Sequence, residues 1–294
     1  MCPSHRKNFS QTYLKTKHLI IGLTSSLVLL FLCYSQVLYR MGKDWAVDPN
    51  YSHGFIIPFI SGYLVWKRKD LLTMAAVRPS VWGLPILLGG LFLLVVGKAG
   101  SELFTMRFSL VVVLYGLLIF LLGTDTTKKL SFPISYLIFM IPLPYIFYDA
   151  VAFPLKLMAA RISADMVMIM GIPIFREGNI IHLTDTTLQV ADACSGIRSL
   201  ISLLALGAIY SYFTLDRAWK RIVLVLLTVP IAVLTNSFRV TGTAVLSHYF
   251  GSKVADGFFH SFSGWVVFVV AFMLLFLCGR VLRLISPGAK SGCS

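Results

Sequence analysis

The chain is patterned on a long scale, with apolar runs separated by short polar or basic segments. Apolar runs near 20 residues are typical of helices that cross a membrane, because about 20 helical residues span the hydrocarbon layer. The first run has no small-residue cleavage site before Arg40, so we interpret it as an uncleaved span. The pattern predicts about eight spans, at Leu19–Tyr39, Gly54–Trp66, Trp82–Gly97, Phe108–Gly123, Ser131–Tyr148, Gly196–Phe213, Ile222–Ser247 and Phe259–Leu284.

The region between the fifth and sixth spans has a different pattern. Residues 151–171 place apolar side chains on one helical face and charged ones on another, which predicts an amphipathic helix lying in the membrane interface. Residues 172–193 are polar and rich in turn formers. Alternating positions there predict a small β meander with strands at Pro173–Arg176, Asn179–Leu183 and Thr187–Ala191.

Composition supports an all-α polytopic membrane protein. Hydrophobic residues make up 57% of the 294 residues and charged residues only 13%, whereas soluble domains carry about 25% charged residues. The formal net charge of +14 would suggest nucleic-acid binding in a soluble protein. In a membrane protein, basic residues instead collect in cytoplasmic loops and set the orientation. We therefore expect no nucleic-acid partner, and we expect contact with membrane lipids.

The distribution of basic residues predicts the topology. With 151–171 in the interface and the N-terminus inside, most Lys and Arg residues fall in inner segments, as the positive-inside rule requires. The meander at 172–193 then faces outward. We expect one integral-membrane domain over 1–294, in which the 18 N-terminal residues and the tail 286–294 are cytoplasmic and flexible.

Cys194 is the first candidate for chemistry, because it lies where the polar meander meets an apolar span. The predicted topology places this thiol on the outer face, with no obvious disulfide partner among the five cysteines. A helix N-terminus lowers the pKa of a thiol, and Arg198 lies one turn further along the same face. Ser195 and the glycine after it allow close backbone approach to a substrate. The alternative is a buried, inert cysteine.

Arg239 and His260 are the second and third candidates. A charge within an apolar span is expensive, so Arg239 is expected to face the protein interior or a water-filled cleft, with Asn236 on the same face. His260 opens the last span, and a helical hairpin brings it near Arg239. Cysteine can attack a carbonyl, histidine can shuttle the proton and arginine can stabilise the oxyanion. Structural roles for the arginine and the histidine are the alternatives.

Other chemistries are less well supported by the residues. His53 and three further histidines could lie outside, but no pair has the i, i+4 spacing of helical metal ligands and no CxxC is present, so we expect no metal and no cofactor. A polytopic transferase of envelope polysaccharide export, with Cys194 structural, is the alternative enzyme. A transporter or assembly subunit of a polysaccharide exporter, with Arg239 lining a path, is the alternative outside enzymes.

Several motifs together resemble the exosortase family of membrane transpeptidase-like cysteine enzymes. They are Ala193-Cys-Ser-Gly-Ile-Arg198, Asn236-Ser-Phe-Arg239, His260 with Gly264, Tyr51-Ser-His-Gly-Phe55 and Phe175-Arg-Glu-Gly-Asn179. The resemblance covers most of residues 45–270.

The resemblance implies a cysteine protease or transpeptidase of the bacterial inner membrane, with its site facing the periplasm and both termini cytoplasmic. Carried over to this chain, Cys194 is the nucleophile, Arg239 the oxyanion stabiliser and His260 the proton shuttle. Arg198, Asn236, Ser195 and His53 are substrate-binding or supporting residues. The implied substrates are secreted proteins with a C-terminal Pro-Glu-Pro-like motif, a transmembrane helix and a basic end. An envelope polysaccharide or lipid-linked group is the implied acceptor.

Overall fold

The computed structural model describes residues 3–72, 77–183, 187–190, 197–251 and 258–285, without the side chains of 3–20, 71–72, 189, 197–199 and 258–263. Predicted features at other positions lie outside the described residues. The described helices are α1 Pro3–Val47, α2 Ile56–Trp66, α3 Gly83–Ala99, α4 Leu103–Leu122, α5 Thr124–Lys129, α6 Ser131–Tyr136, α7 Tyr145–Ile169, α8 Ile197–Thr214, α9 Ala218–Phe250 and α10 Phe258–Ile285. Three short 3-10 helices occupy Pro49–Phe55, Lys69–Leu72 and Leu137–Met140. The strands are β1 Ile174–Glu177, β2 Ile180–Leu183 and β3 Thr187–Gln189.

The predicted helical membrane architecture is confirmed, but the number of eight spans is not. Among the described residues, four helices are long and apolar enough to cross a membrane, or five if α6 and its 3-10 turn are counted with α7 as one broken span. The second predicted span shortens to α2, whose 11 residues cover only about 17 Å. Pro49 and the residues after it wind into a 3-10 helix instead, which shortens the apolar helix.

The chain divides into two compact units, an N-terminal unit (Met1–Pro144) and a C-terminal unit (Tyr145–Ser294). In the N-terminal unit, α3 and α4 pack closely through glycines. Gly83, Gly90 and Gly97 recur every seven residues and are buried. A β-carbon on Gly90 would lie 2.8 Å from the backbone nitrogen of Val113. Small residues that let two backbones approach are a common basis of helix association in membranes.

The glycine contacts predict opposite effects for two neighbouring substitutions. Gly90→Ala should destabilise the protein by about 1–3 kcal/mol, because its new methyl group overlaps α4. Gly89→Ala should be neutral or stabilising, since nothing lies within 4 Å of its added methyl group and alanine favours a helix. Unfolding of the two variants in mild detergent measures the difference. Equal stability would contradict this packing.

A break follows the 3-10 helix Leu137–Met140, because Pro142 and Pro144 cannot continue a helix. Carbonyls at a helix end lack partners within the helix. The side chain of Trp45 donates from Nε1 to Met140 O at 2.8 Å, and His53 donates from Nε2 to Phe139 O at 3.2 Å. The predicted span Ser131–Tyr148 is therefore interrupted, and side chains from an earlier part of the chain satisfy the carbonyls at the break.

The α7 helix differs from the predicted interfacial helix over 151–171. It begins six residues earlier, at Tyr145, and its buried face consists mainly of small residues rather than of the predicted apolar side chains. That face packs on α9, where Ser163 Oγ donates to Ser237 O at 3.0 Å and Thr241 Oγ1 contacts Met166 Sδ at 3.5 Å. The buried residues of α7 are Tyr148, Ala152, Ala159, Ala160, Ser163, Ala164 and Val167.

The β meander is confirmed as an antiparallel sheet with the order β1-β2-β3. Glu177 pairs with Ile180, so Gly178 and Asn179 form a two-residue turn, and Gly178 has the positive φ of 61° that such turns favour. Alternate residues Ile181 and Leu183 are buried in a cluster with Val167 of α7 and Val240 and Ala244 of α9. The sheet thus lies against the last turns of α7 and the second half of α9.

Candidate active site

The length of helix α9 indicates how far the candidate site lies from the opposite side of the membrane. Its 33 residues extend about 50 Å, well beyond the roughly 30 Å hydrocarbon layer. One end is marked by Trp219, which is partly exposed, and by Arg221, whose guanidinium lies 5.3 Å from the Tyr212 ring centre. Aromatic and basic side chains are typical of a membrane interface. Arg239 lies eighteen residues further along α9, or about 27 Å, which is close to the thickness of the hydrocarbon layer.

Helix α10 gives a similar distance between the candidate site and its basic end. The candidate span of α10 begins at Gly264 and ends at Ile285, with Arg280 and Arg283 near its end. Trp265 is exposed beside Gly264 and is typical of the other interface. Gly264 lies next to the Arg239 guanidinium. Along both α9 and α10, this contact is therefore about one membrane thickness from the basic end of the helix.

The guanidinium group of Arg239 packs against the backbone of α10. A β-carbon at Gly264 would lie 3.5 Å from Arg239 Cζ and 3.6 and 3.7 Å from its terminal nitrogens. The absence of a side chain at Gly264 therefore makes room for the guanidinium. His260 lies on α10 one helical turn before Gly264, and its side chain is outside the described residues. The two helices that carry Arg239 and His260 therefore pack against each other, and the approach of the His260 side chain to Arg239 stays a prediction.

Polar side chains are unusually frequent on the buried part of α9 near Arg239. Asn236, one turn earlier, is only 2% exposed. Thr243 Oγ1, one turn later, donates to Arg239 O at 2.9 Å. Buried polar groups in a membrane helix are costly and commonly mark a functional interior. The other buried polar residues of this helix are Lys220, Thr228, Thr235, Ser237, Thr241 and Ser247.

The described residues on both sides of Cys194 pack against α9. Val190, four residues before it, is 1% exposed and belongs to the apolar cluster that contains Val240. Val190 N also donates to Asn179 O at 2.9 Å, which ties this residue to the sheet. Leu200, six residues after Cys194, is buried in a cluster with Ala232 of α9. The two anchors therefore bracket the stretch of α9 that contains Asn236 and Arg239.

Two predicted site residues lie in the cysteine motif and have no described side chain. Cys194 and Ser195 are outside the described residues. Arg198 is the second residue of α8, with its side chain outside the described residues. The described part of α8 begins at Ile197, and the predicted helix start at Cys194 lies outside the described residues.

His53 belongs to the N-terminal unit, in the 3-10 helix before α2 and outside the candidate spans. Burial lowers the pKa of His53, and the hydrogen bond to Phe139 O offsets part of that decrease. Burial therefore favours the neutral form of the His53 ring. Its carbonyl partner gives this histidine a structural role that the sequence did not indicate.

Two long-range contacts in the N-terminal unit have no counterpart in the local sequence patterns. Tyr51 OH accepts a hydrogen bond from Leu143 N at 3.2 Å, and the buried Arg107 forms an ion pair with Asp44. Their partners are 92 and 63 residues away in the chain, so no local spacing indicates them. Within the described residues, His, Cys, Asp and Glu side chains form no group of three that could hold a metal.

Comparison with known proteins gives one match. Residues 45–277 match the family described as transmembrane exosortase (Exosortase_EpsH). No curated protein and no solved structure matches the chain significantly.

Proposed function

Because the chain belongs to the transmembrane exosortase family, we propose that it is a membrane cysteine peptidase or transpeptidase that uses Cys194, Arg239 and His260. One observation carries this proposal: the Arg239 guanidinium is packed on Gly264, one helical turn from His260. The anchors Val190 and Leu200, on either side of Cys194, support it because both pack against α9.

The proposed reaction begins with the Cys194 thiolate, which attacks the backbone carbonyl carbon at the sorting motif of a substrate. The carbonyl oxygen becomes an oxyanion, to which the Arg239 guanidinium donates hydrogen bonds. One such donor contributes about 3–4 kcal/mol to the stability of the transition state. A guanidinium is suited to this role because it stays charged and presents several N–H groups in a fixed plane.

The tetrahedral intermediate then collapses. The C–N bond of the peptide breaks, His260 gives a proton to the departing amine, and the acyl group remains on the sulfur of Cys194 as a thioester. Water, or an amine or hydroxyl of an envelope acceptor, next attacks the thioester. His260 takes the proton of that nucleophile, and the Cys194 thiolate is released.

The distance of Arg239 from the basic end of α9, about one membrane thickness, supports the proposal that the substrate is itself held in the membrane. A protein with a short motif beside a transmembrane helix presents its motif at the interface, level with Arg239 and Gly264. We therefore propose exported proteins with a C-terminal Pro-Glu-Pro-like motif, a membrane helix and a basic end as substrates. The site would face the periplasm of the bacterial inner membrane. Asn236 and Arg198 would orient the motif or the thiolate.

Thiol labelling tests the nucleophile directly. A variant that retains only Cys194, with Cys2, Cys33, Cys278 and Cys293 replaced by serine, should process substrate like the native chain. A membrane-impermeant alkylating reagent should label it from the periplasmic side and stop processing. Hydroxylamine added during turnover should release the processed protein as a hydroxamate, which mass spectrometry detects.

The matched control retains the other four cysteines and carries Cys194→Ser. This variant should process almost no substrate before labelling, so labelling of its other cysteines should change nothing further. Complete alkylation of the Cys194-only variant with unchanged processing would contradict the proposal. So would labelling that occurs only from the cytoplasmic side.

A further inference from the structure

A cleft of about 400 Å³ lies in the N-terminal unit, between the ends of α1, α3 and α4. This volume is within the range of about 300–1,000 Å³ that is typical of small-ligand sites. Ser101, in the short connection between α3 and α4, lines the cleft and has a φ of 53°. Left-handed backbone conformations of non-glycine residues are uncommon and recur at ligand sites.

Three basic side chains from three different helices line this cleft. They are Arg40 of α1, Lys98 of α3 and Arg107 of α4. Arg107 is buried at 3% exposure, whereas Arg40 and Lys98 are exposed at the mouth. Neither Arg40 nor Lys98 forms an ion pair or a hydrogen bond with another described residue. Two positive charges therefore converge on one cleft without a described counter-charge.

Two acids interact with the basic residues but do not line the cleft. Asp44 pairs with Arg107 and so compensates the buried charge. Glu102 caps α4, where its carboxylate accepts hydrogen bonds from Phe104 N at 3.1 Å and Thr105 N at 2.5 Å. The charge of Arg40 and Lys98 is therefore left for an anionic ligand.

Most of the remaining lining of the cleft is apolar, with Gln36 and Ser101 as its uncharged polar residues. Helix α4 packs on both α1 and α3: Tyr34 OH of α1 is 2.8 Å from Ser109 Oγ, and Gly90 of α3 lies against Val113. Helix α4 forms the floor of the cleft, and Val37 of α1 and Val95 of α3 line its two sides. Below the cleft, Leu29 and Phe92 are 66% and 67% exposed, as expected of side chains that face lipid.

This arrangement is complementary to an anionic amphiphile, because positive charge at the cleft adjoins exposed apolar side chains on α1 and α3. We propose that the cleft binds the phosphate headgroup of a net-anionic membrane phospholipid, whose acyl chains lie along the exposed apolar side chains of α1 and α3. The bound lipid bridges α1 and α3 beside α4. This proposal rests on the N-terminal unit alone and does not depend on the proposed catalytic function.

Native mass spectrometry of the full chain tests the proposal. The protein is purified in a zwitterionic detergent and titrated with phosphatidylglycerol or phosphatidylcholine of the same acyl chains. We expect one phosphatidylglycerol to be retained in preference to phosphatidylcholine. The double variant Arg40→Gln/Lys98→Gln should lower that affinity at least about tenfold, since each basic residue near a membrane surface contributes about fivefold.

The control double variant is Lys43→Gln/Lys128→Gln, which removes the same charge from exposed lysines outside the cleft. It should retain the lipid like the native chain, and equal loss in both double variants would overturn the proposal. Displacement of the lipid by millimolar inorganic phosphate would identify a site for soluble anions instead. Displacement by a peptide with the membrane helix of a substrate would identify a peptide groove. Either displacement also overturns the lipid assignment.

Discussion

Replacing Cys194 with alanine is expected to abolish processing, so that a protein with the C-terminal sorting signal keeps its full length in the membrane. Without the thiolate no thioester can form, and the remaining groups can only polarise the peptide bond. In enzymes with an activated nucleophile, such a substitution lowers kcat by about 10⁴-fold or more. Cys194→Ser should lose nearly as much, because a hydroxyl group is not ionised near neutral pH. The measurement is the fraction of substrate shortened, determined by mass spectrometry.

Cysteines in the helices provide the matched controls for this prediction. Cys33 of α1 and Cys278 of α10 are free, and neither lies near Arg239 or Gly264 in the chain. Cys33→Ala and Cys278→Ala should process substrate like the native chain. Each variant is compared at an equal amount of folded protein in the membrane. Native processing by Cys194→Ala would exclude a thioester mechanism and favour a structural role for this residue.

The second large effect is expected at Gly264, a residue with no side chain of its own. Leucine at this position would fill the space that the Arg239 guanidinium occupies, because even its β-carbon lies 3.5 Å from Cζ. We expect Gly264→Leu to lower kcat by about 10²–10³-fold, as does the loss of an oxyanion donor. Gly264→Ala should stay within a few-fold of the native rate, since 3.5 Å is an ordinary van der Waals contact. Single-turnover rates separate the chemical step from binding.

Two comparisons show whether Gly264→Leu acts through Arg239. The loss from Gly264→Leu should add little to the loss from Arg239→Gln, because both variants remove the same donor. Gly242→Leu on α9 is the steric control, since nothing lies within 4 Å of a β-carbon there. Additive losses at positions 239 and 264, or an equal loss at position 242, would mean that Gly264 only supports helix packing.

The local patterns of the chain predicted the C-terminal unit well. Helices α8, α9 and α10 follow three of the predicted spans, and the meander has its three strands within two residues of the predicted ones. Apolar runs and alternation report directly on such elements, because each element is defined by its own residues. The hairpin of α9 and α10 follows from the short connection between them.

The features that sequence could not predict depend on partners far apart in the chain. The helix α7 buries small residues because α9 approaches it closely, and an apolar pattern cannot show which face a neighbour will cover. The basic residues that line the cleft come from three separate runs, so no spacing brings them together. The convergence of Arg239 and His260 on Cys194 stays a prediction, and so do the orientation and the number of spans.

The contact between Arg239 and Gly264 defines how much of α9 and of α10 lies between the candidate site and the basic end of each helix. Arg239 lies about 27 Å from Arg221 along α9, and Gly264 lies about 29 Å from Arg283 along α10, so both lengths are close to the hydrophobic thickness of a bilayer. Lipids with longer chains would draw the guanidinium below the water boundary, and shorter chains would lift it above the scissile bond of a membrane-held substrate. Under the proposed function, the thickness of the host bilayer would therefore help to determine which peptide bond of a sorting motif meets Arg239.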